Sequence, residues 1–209
     1  MNMFTTEHFI WIGLCAAFIA AMCIIAGKRK MGLKQAGGIM VFICAVSEIS
    51  KMMSGMIASP GGGMHLDPLN LPLHLCSLMI FSVLYITFAK ESGLKRLLMN
   101  FTAVMGTLGS FCAIMIPTNG TDFGDILAYQ CFVYHAGLMW FSLYLIFSGN
   151  AQIGSVRSFA ENLGLLLALA FAMLYINGAL SVYDTNFFYL TRPPMENLPY
   201  LNLERGWYV

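Results

Sequence analysis

Apolar residues run along this chain in long, nearly unbroken stretches, and the polar ones gather between them. Several stretches reach the roughly 20 residues that a helix needs to cross a hydrocarbon core. Six of them, at about 8–27, 37–57, 71–89, 97–116, 126–148 and 160–183, predict helical spans. They are apolar nearly all round, which marks membrane helices rather than amphipathic surface helices. The third is expected to open at Asn70-Leu71-Pro72 with Pro72 in its first turn, where a missing N–H costs nothing. Pro117 follows the fourth, and the segment Pro60 to Gly63 is an uncharged loop. No repeat and no soluble insertion interrupts the series. The fold class is therefore all-α, a polytopic membrane helix bundle with residues 1–209 as a single transmembrane domain.

Charge sets the orientation. Lys28, Arg29, Lys30 and Lys34 follow the first span; Lys90, Lys95 and Arg96 follow the third; Arg157 follows the fifth. The alternate loops, 58–70 and 117–125, hold no Lys or Arg but contain Asp67, Asp122 and Asp125. Eight basic residues against none places the first set of loops inside, and the N-terminus and residues 184–209 outside. Residues 1–8 carry no Lys or Arg, and the basic cluster comes after the first apolar run. That order is the reverse of a cleavable signal peptide and predicts a retained span. The tail is rich in Phe, Tyr and Trp and is expected to lie against the membrane interface.

Composition agrees with this picture. Of 209 residues, 58% are hydrophobic and 10% charged, and the net charge is +1. No basic run points to nucleic acid. The six cysteines, Cys15, Cys23, Cys44, Cys76, Cys112 and Cys131, all lie within apolar runs, which argues against a secreted disulfide framework. The expected partners are membrane lipids, and the oligomeric state is not readable from the chain.

Polar groups inside a membrane are costly, so each invites a functional question. At 1.5 Å per residue, Glu48, Cys76, His135 and Asn177 come out roughly 8–14 Å beneath the outer surface, on four different spans. One shared pocket is the expectation. Cys76 is a candidate nucleophile, against the commoner role of free Cys as a small core residue. His135 is a candidate general base, against a histidine bonded to a neighbouring helix. Cys131, four residues before it, shares its face and is a rival thiol. His74 would project about 200° from Cys76 on a helix and so stand apart from it; it is a further pocket candidate, against a histidine nearer the surface that snorkels or hydrogen-bonds. Glu48 and Lys51, three apart, are expected to form an ion pair. Gln130, Tyr134 and Asn177 could donate to a polar substrate or hold helices together. His65, Asp67, His74, Cys76 and His135 are metal-ligand types in no zinc-site spacing. No phosphate loop, serine elbow or dinucleotide fingerprint is present, and no metal or cofactor is expected.

Leu71-Pro72-Leu73-His74-Leu75-Cys76 and the fifth-span His135 resemble the YwaF-like family of bacterial integral membrane proteins. So do Asn186-Phe187-Phe188-Tyr189-Leu190, Pro193-Pro194 and Gly206-Trp207-Tyr208. The resemblance implies a relationship to a vertebrate membrane acyltransferase that remodels ether phospholipids through a cysteine and a histidine. More distantly, it implies one to androgen-induced lipid hydrolases, which use threonine instead. Cys76 and His135 are the matching positions, and the cytoplasmic membrane is the implied location. Two departures stand out: Ser77 occupies a place where members commonly have Asp, and members continue past the Trp-Tyr pair, so the resemblance implies a missing seventh span.

These observations lead to a lipid acyl-transfer or acyl-hydrolysis enzyme with Cys76 as nucleophile and His135 as base. The alternatives are a non-catalytic transporter or small-molecule-binding protein whose pocket the polar layer lines, and an accessory protein in which that layer is interhelical glue.

Overall fold

The structure is a computed structural model, and it describes residues 4–58 and 64–192. Helices dominate: α1 (Thr6–Lys28), α2 (Leu33–Ser54), α3 (Leu75–Phe88), α4 (Gly93–Phe101), α5 (Thr107–Met115), α6 (Ile126–Phe147) and α7 (Val156–Ala179). Side chains cap several of them, Thr5 on α1, Ser92 on α4, Asp125 on α6 and Ser155 on α7, each accepting a first-turn N–H. A π turn, Thr102–Gly106, joins α4 to α5, so Gly93–Met115 is one 23-residue rod. The six expected spans thus correspond to six rods, of which five are long and apolar enough to cross a membrane.

The α6 rod is the centre of the bundle and packs against α1, α2 and α5. Close approach is built in by small residues. A methyl group on Gly106 would lie 2.2 Å from Ser142 Oγ, and one on Gly37 2.2 Å from Thr87 Oγ1. At the first crossing the Ser142 hydroxyl donates to the Thr102 carbonyl at 2.9 Å, where the π turn alters the usual helix bonding. The inner half is filled by Phe101, Leu138, Trp140, Phe141 and Leu145, all buried. The α7 rod lies at the edge, against α4 and the segment that follows it.

The sixth rod, α3, departs from expectation. It has 14 residues, about 21 Å against a hydrocarbon core of about 30 Å. Pro72 does not sit in its first turn. Proline pushes the residue before it out of the helical region, and Leu71 is extended at φ −58°, ψ 145°. The chain stays irregular through His74, itself extended at φ −70°, ψ 152°, and helix begins only at Leu75. Between α2 and α3 the chain forms an antiparallel hairpin, β1 (Met56–Ala58) with β2 (Met64–Leu66), pairing Ile57 with His65. A 3-10 turn at Pro68–Asn70 follows it. The uncharged loop expected at Pro60 to Gly63 lies outside the described residues.

Loops alternate between the two ends. At one end Tyr144 Oη donates to the Met31 carbonyl at 2.9 Å and the Gln152 N–H to Asn100 Oδ1 at 2.7 Å. The loops there carry the basic residues. At the other, His8 Nε2 bonds the Ile114 carbonyl at 2.8 Å and Trp11 Nε1 the Thr121 carbonyl at 3.1 Å. After α7 the chain makes 3-10 turns at Ser181–Tyr183 and Phe187–Tyr189. Residues 184–192 fold back onto the bundle; the remaining tail aromatics Tyr200, Trp207 and Tyr208 lie outside the described residues.

Candidate functional site

The late start of α3 decides where Cys76 lies. His74 is the N-cap, so Cys76 is the second residue of the helix. Twelve residues separate it from Phe88, about 18 Å of rise, which leaves it about 12 Å beneath the outer edge of a 30 Å core. A first turn has N–H groups without helical partners. His74 contributes no side-chain cap, and the first hydrogen bond into the helix is Leu78 N–H to the His74 carbonyl. The N–H groups of Leu75, Cys76 and Ser77 therefore point out of the turn without protein partners among the described residues. The Cys76 sulfur faces the α5 rod: a methyl group on Gly109 would stand 3.5 Å from Sγ. Irregular backbone at this depth is tolerated where protein surrounds it or a cavity adjoins it.

His135 lies half-buried on α6. Its Nδ1 is 2.7 Å from the Cys131 carbonyl, one turn back. A carbonyl only accepts, so Nδ1 carries the proton and Nε2 carries the lone pair. Nε2 has no hydrogen-bond partner among the described residues. The same contact bears on Cys131, whose sulfur is 3.6 Å from Nδ1. A protonated Nδ1 cannot take the thiol's proton, so Cys131 is not activated by its neighbour. No hydrogen bond joins Cys76 to His135 among the described residues. Tyr134 connects them: its hydroxyl donates to the Cys76 carbonyl, and its ring lies 5.2 Å from the His135 ring.

The remaining candidates separate into groups. Glu48 Oε1 is 2.9 Å from Lys51 Nζ, the expected ion pair, though no aligned hydrogen bond reaches that oxygen. Lys51 also donates to Ser77 Oγ at 3.2 Å, which ties α2 to the first turn of α3. Gln130 donates to Ser47 Oγ at 2.7 Å, so its amide is engaged with α2. His74 was expected to stand apart from Cys76 by helical geometry. That geometry does not apply to an extended N-cap, and its ring is covered by Phe187 at 5.4 Å and Tyr189 at 5.1 Å. Asn177 is buried near the end of α7. Its amide is consumed by the Phe187 backbone, accepting from N–H at 2.9 Å and donating to C=O at 3.0 Å.

Sequence reasoning placed Tyr189 in the tail motif but gave it no role at the site. It shares a hydrogen bond with Thr118, and its ring lies 5.1 Å from that of His74. Burial pushes its phenol above the usual range, and Thr118 pulls it back. Only a long-range fold-back could have revealed it. Among the described residues, no three His, Cys, Asp or Glu side chains gather as metal ligands.

No curated protein matches the chain, and no solved structure does. A family model matches residues 3–209, nearly the whole length. Six apolar rods and this match agree: the chain belongs to the TMEM164 family, a family of membrane proteins.

Proposed function

We propose that this protein transfers or hydrolyses acyl groups of membrane lipids, with Cys76 as nucleophile and His135 as base. The observation that carries the reading is the uncapped first turn of α3 with Cys76 at its second position. A helix N-terminus favours negative charge, so it stabilises both a thiolate and the oxyanion of a tetrahedral intermediate. The Tyr134 hydroxyl and one N–H each of Gln130 and Asn177 are engaged elsewhere. The amides of the α3 turn, without partners among the described residues, take the oxyanion role.

The steps balance as follows. His135 Nε2 removes the Cys76 proton, and the thiolate attacks the ester carbonyl carbon. The C–O bond breaks, His135 returns the proton to the departing lipid hydroxyl, and a thioester remains. A lysolipid hydroxyl or water then attacks the thioester, His135 takes its proton, and the thiol is restored. The thiol–imidazole hydrogen bond that the first step needs forms in the complex with substrate. The resemblance to YwaF-like proteins at Cys76 and His135 supports the same assignment. The packed inner half supports a site reached from one side rather than a transport path.

The test uses purified protein in phosphatidylcholine nanodiscs with added lysophospholipid. Wild type is expected to exchange acyl chains or release fatty acid, and Cys76→Ala to do neither. Equal turnover by a folded Cys76→Ala protein would refute the reading.

A further inference from the structure

Residues 184–192 form a compact clasp. Asn186 Oδ1 accepts from Thr191 N–H at 3.1 Å and from its hydroxyl at 2.8 Å, while the Asn186 amide donates to the Arg192 carbonyl at 2.8 Å. Arg192 pairs with the Asp184 carboxylate and also donates to its carbonyl. Three non-glycine residues, Asp184, Phe188 and Tyr189, hold left-handed backbone at φ 55°, 60° and 53°. Such conformations persist only where surroundings enforce them, and they concentrate at functional places. Among these residues in the chain stands Phe187, whose two backbone groups are both gripped by the buried Asn177. Phe187 is itself fully buried and lies edge-on to His74, the N-cap of α3. Tyr189 lies 5.1 Å from the same His74 ring, and His74 stands two residues before Cys76 in the chain.

We infer that Asn177 is a positioning residue that seats the clasp, through Phe187, as a roof over Cys76, and that Tyr189 in this roof selects what reaches the thiol by size. This deepens the acyl-transfer reading and rests on it for its biological meaning, but the roof itself is testable without lipid chemistry. A closed roof excludes the outer aqueous phase, so bulky reagents are refused while small ones pass. Loss of the Asn177 grip frees the clasp from α7, and the discrimination disappears.

The experiment labels Cys76 in protein whose other five cysteines are changed to Ala, held in phosphatidylcholine nanodiscs. Methyl methanethiosulfonate is the small reagent and pyrene maleimide the bulky one. Rates are divided by those of a free thiol to remove intrinsic reactivity. Asn177→Ala is expected to raise the bulky-to-small ratio about tenfold or more, as the loss of two hydrogen bonds allows. Asn177→Asp keeps the acceptor and should fall between. Tyr189→Ala removes the covering ring without touching Asn177 and should raise the ratio too, whereas Tyr189→Phe keeps the ring and the selectivity. Should Asn177→Ala fail to fold, the Tyr189 pair decides. Ratios in folded Asn177→Ala or in Tyr189→Ala within about twofold of the parent would overturn the inference. A protein that passes this test yet never exchanges acyl chains keeps the roof and loses the acyl-transfer reading.

Discussion

Two histidines of this bundle lie in opposite kinds of surroundings. His8, at the start of α1, is fully buried with both ring nitrogens engaged. The Phe4 N–H donates to its Nδ1 at 3.0 Å, and its Nε2 meets the Ile114 carbonyl at 2.8 Å, which requires the Nε2–H tautomer. Around it Trp11 stacks on Phe132 at 4.7 Å and meets Tyr129 edge-on at 4.9 Å. His135 has the opposite tautomer, with Nδ1 spent on a carbonyl of its own helix and Nε2 unpartnered among the described residues. The first turn of α3 leaves amides unpaired among the described residues. A protein normally satisfies its buried polar groups. Both nitrogens of one histidine are paired and one nitrogen of the other is not among the described residues, so the second is the ring placed to meet something else.

The widest separation between the two regions should come from activity. His135→Ala is expected to lower acyl turnover about 10²–10⁴-fold, the usual size of general-base loss, at nearly wild-type thermal stability. His8→Ala should leave turnover per folded molecule unchanged. The reverse pattern would erase the distinction between the two histidines. In thermal unfolding the order inverts. His8→Ala leaves the Phe4 N–H and the Ile114 carbonyl unpaired and should cost about 2–4 kcal/mol.

A somewhat smaller effect is expected at the π turn, which belongs to the well-packed framework. Gly106→Ala forces a methyl group onto Ser142 Oγ, an overpacking cost of about 1–3 kcal/mol. Adding Ser142→Ala should recover part of it, because the obstructing atom goes; strict additivity of the two changes would count against the close approach. The smallest effect is expected at Gly109. A methyl group there makes only ordinary contact with Cys76 Sγ, so stability should move by less than about 0.5 kcal/mol. Thiol labelling of Cys76 should slow measurably, and unchanged labelling would show that its sulfur does not face Gly109.

Much of this architecture was legible in the chain. Apolar run length revealed the rods, and Lys and Arg marked one end, because both signals are local and dictated by the membrane. The ion pair of Glu48 with Lys51 followed from their spacing. The start of α3 was misread because a proline in a first turn and a proline that delays a helix look alike in sequence. With that error went the position of His74, which helical geometry set apart from Cys76 and an extended N-cap brings beside the roof. Asn177 was placed in the pocket on depth alone, but its partner is a backbone ten residues onward that returns over the bundle. Such fold-back contacts have no periodic signature.

The central claim is that Cys76 becomes acylated. Intact-protein mass spectrometry after incubation with phosphatidylcholine, stopped by acid, tests it directly. The account predicts a fatty-acyl adduct that neutral hydroxylamine removes, that maps to Cys76, and that Cys76→Ala lacks. A folded wild-type protein that turns over lipid without any such adduct, or carries it on Cys131 instead, would contradict the account.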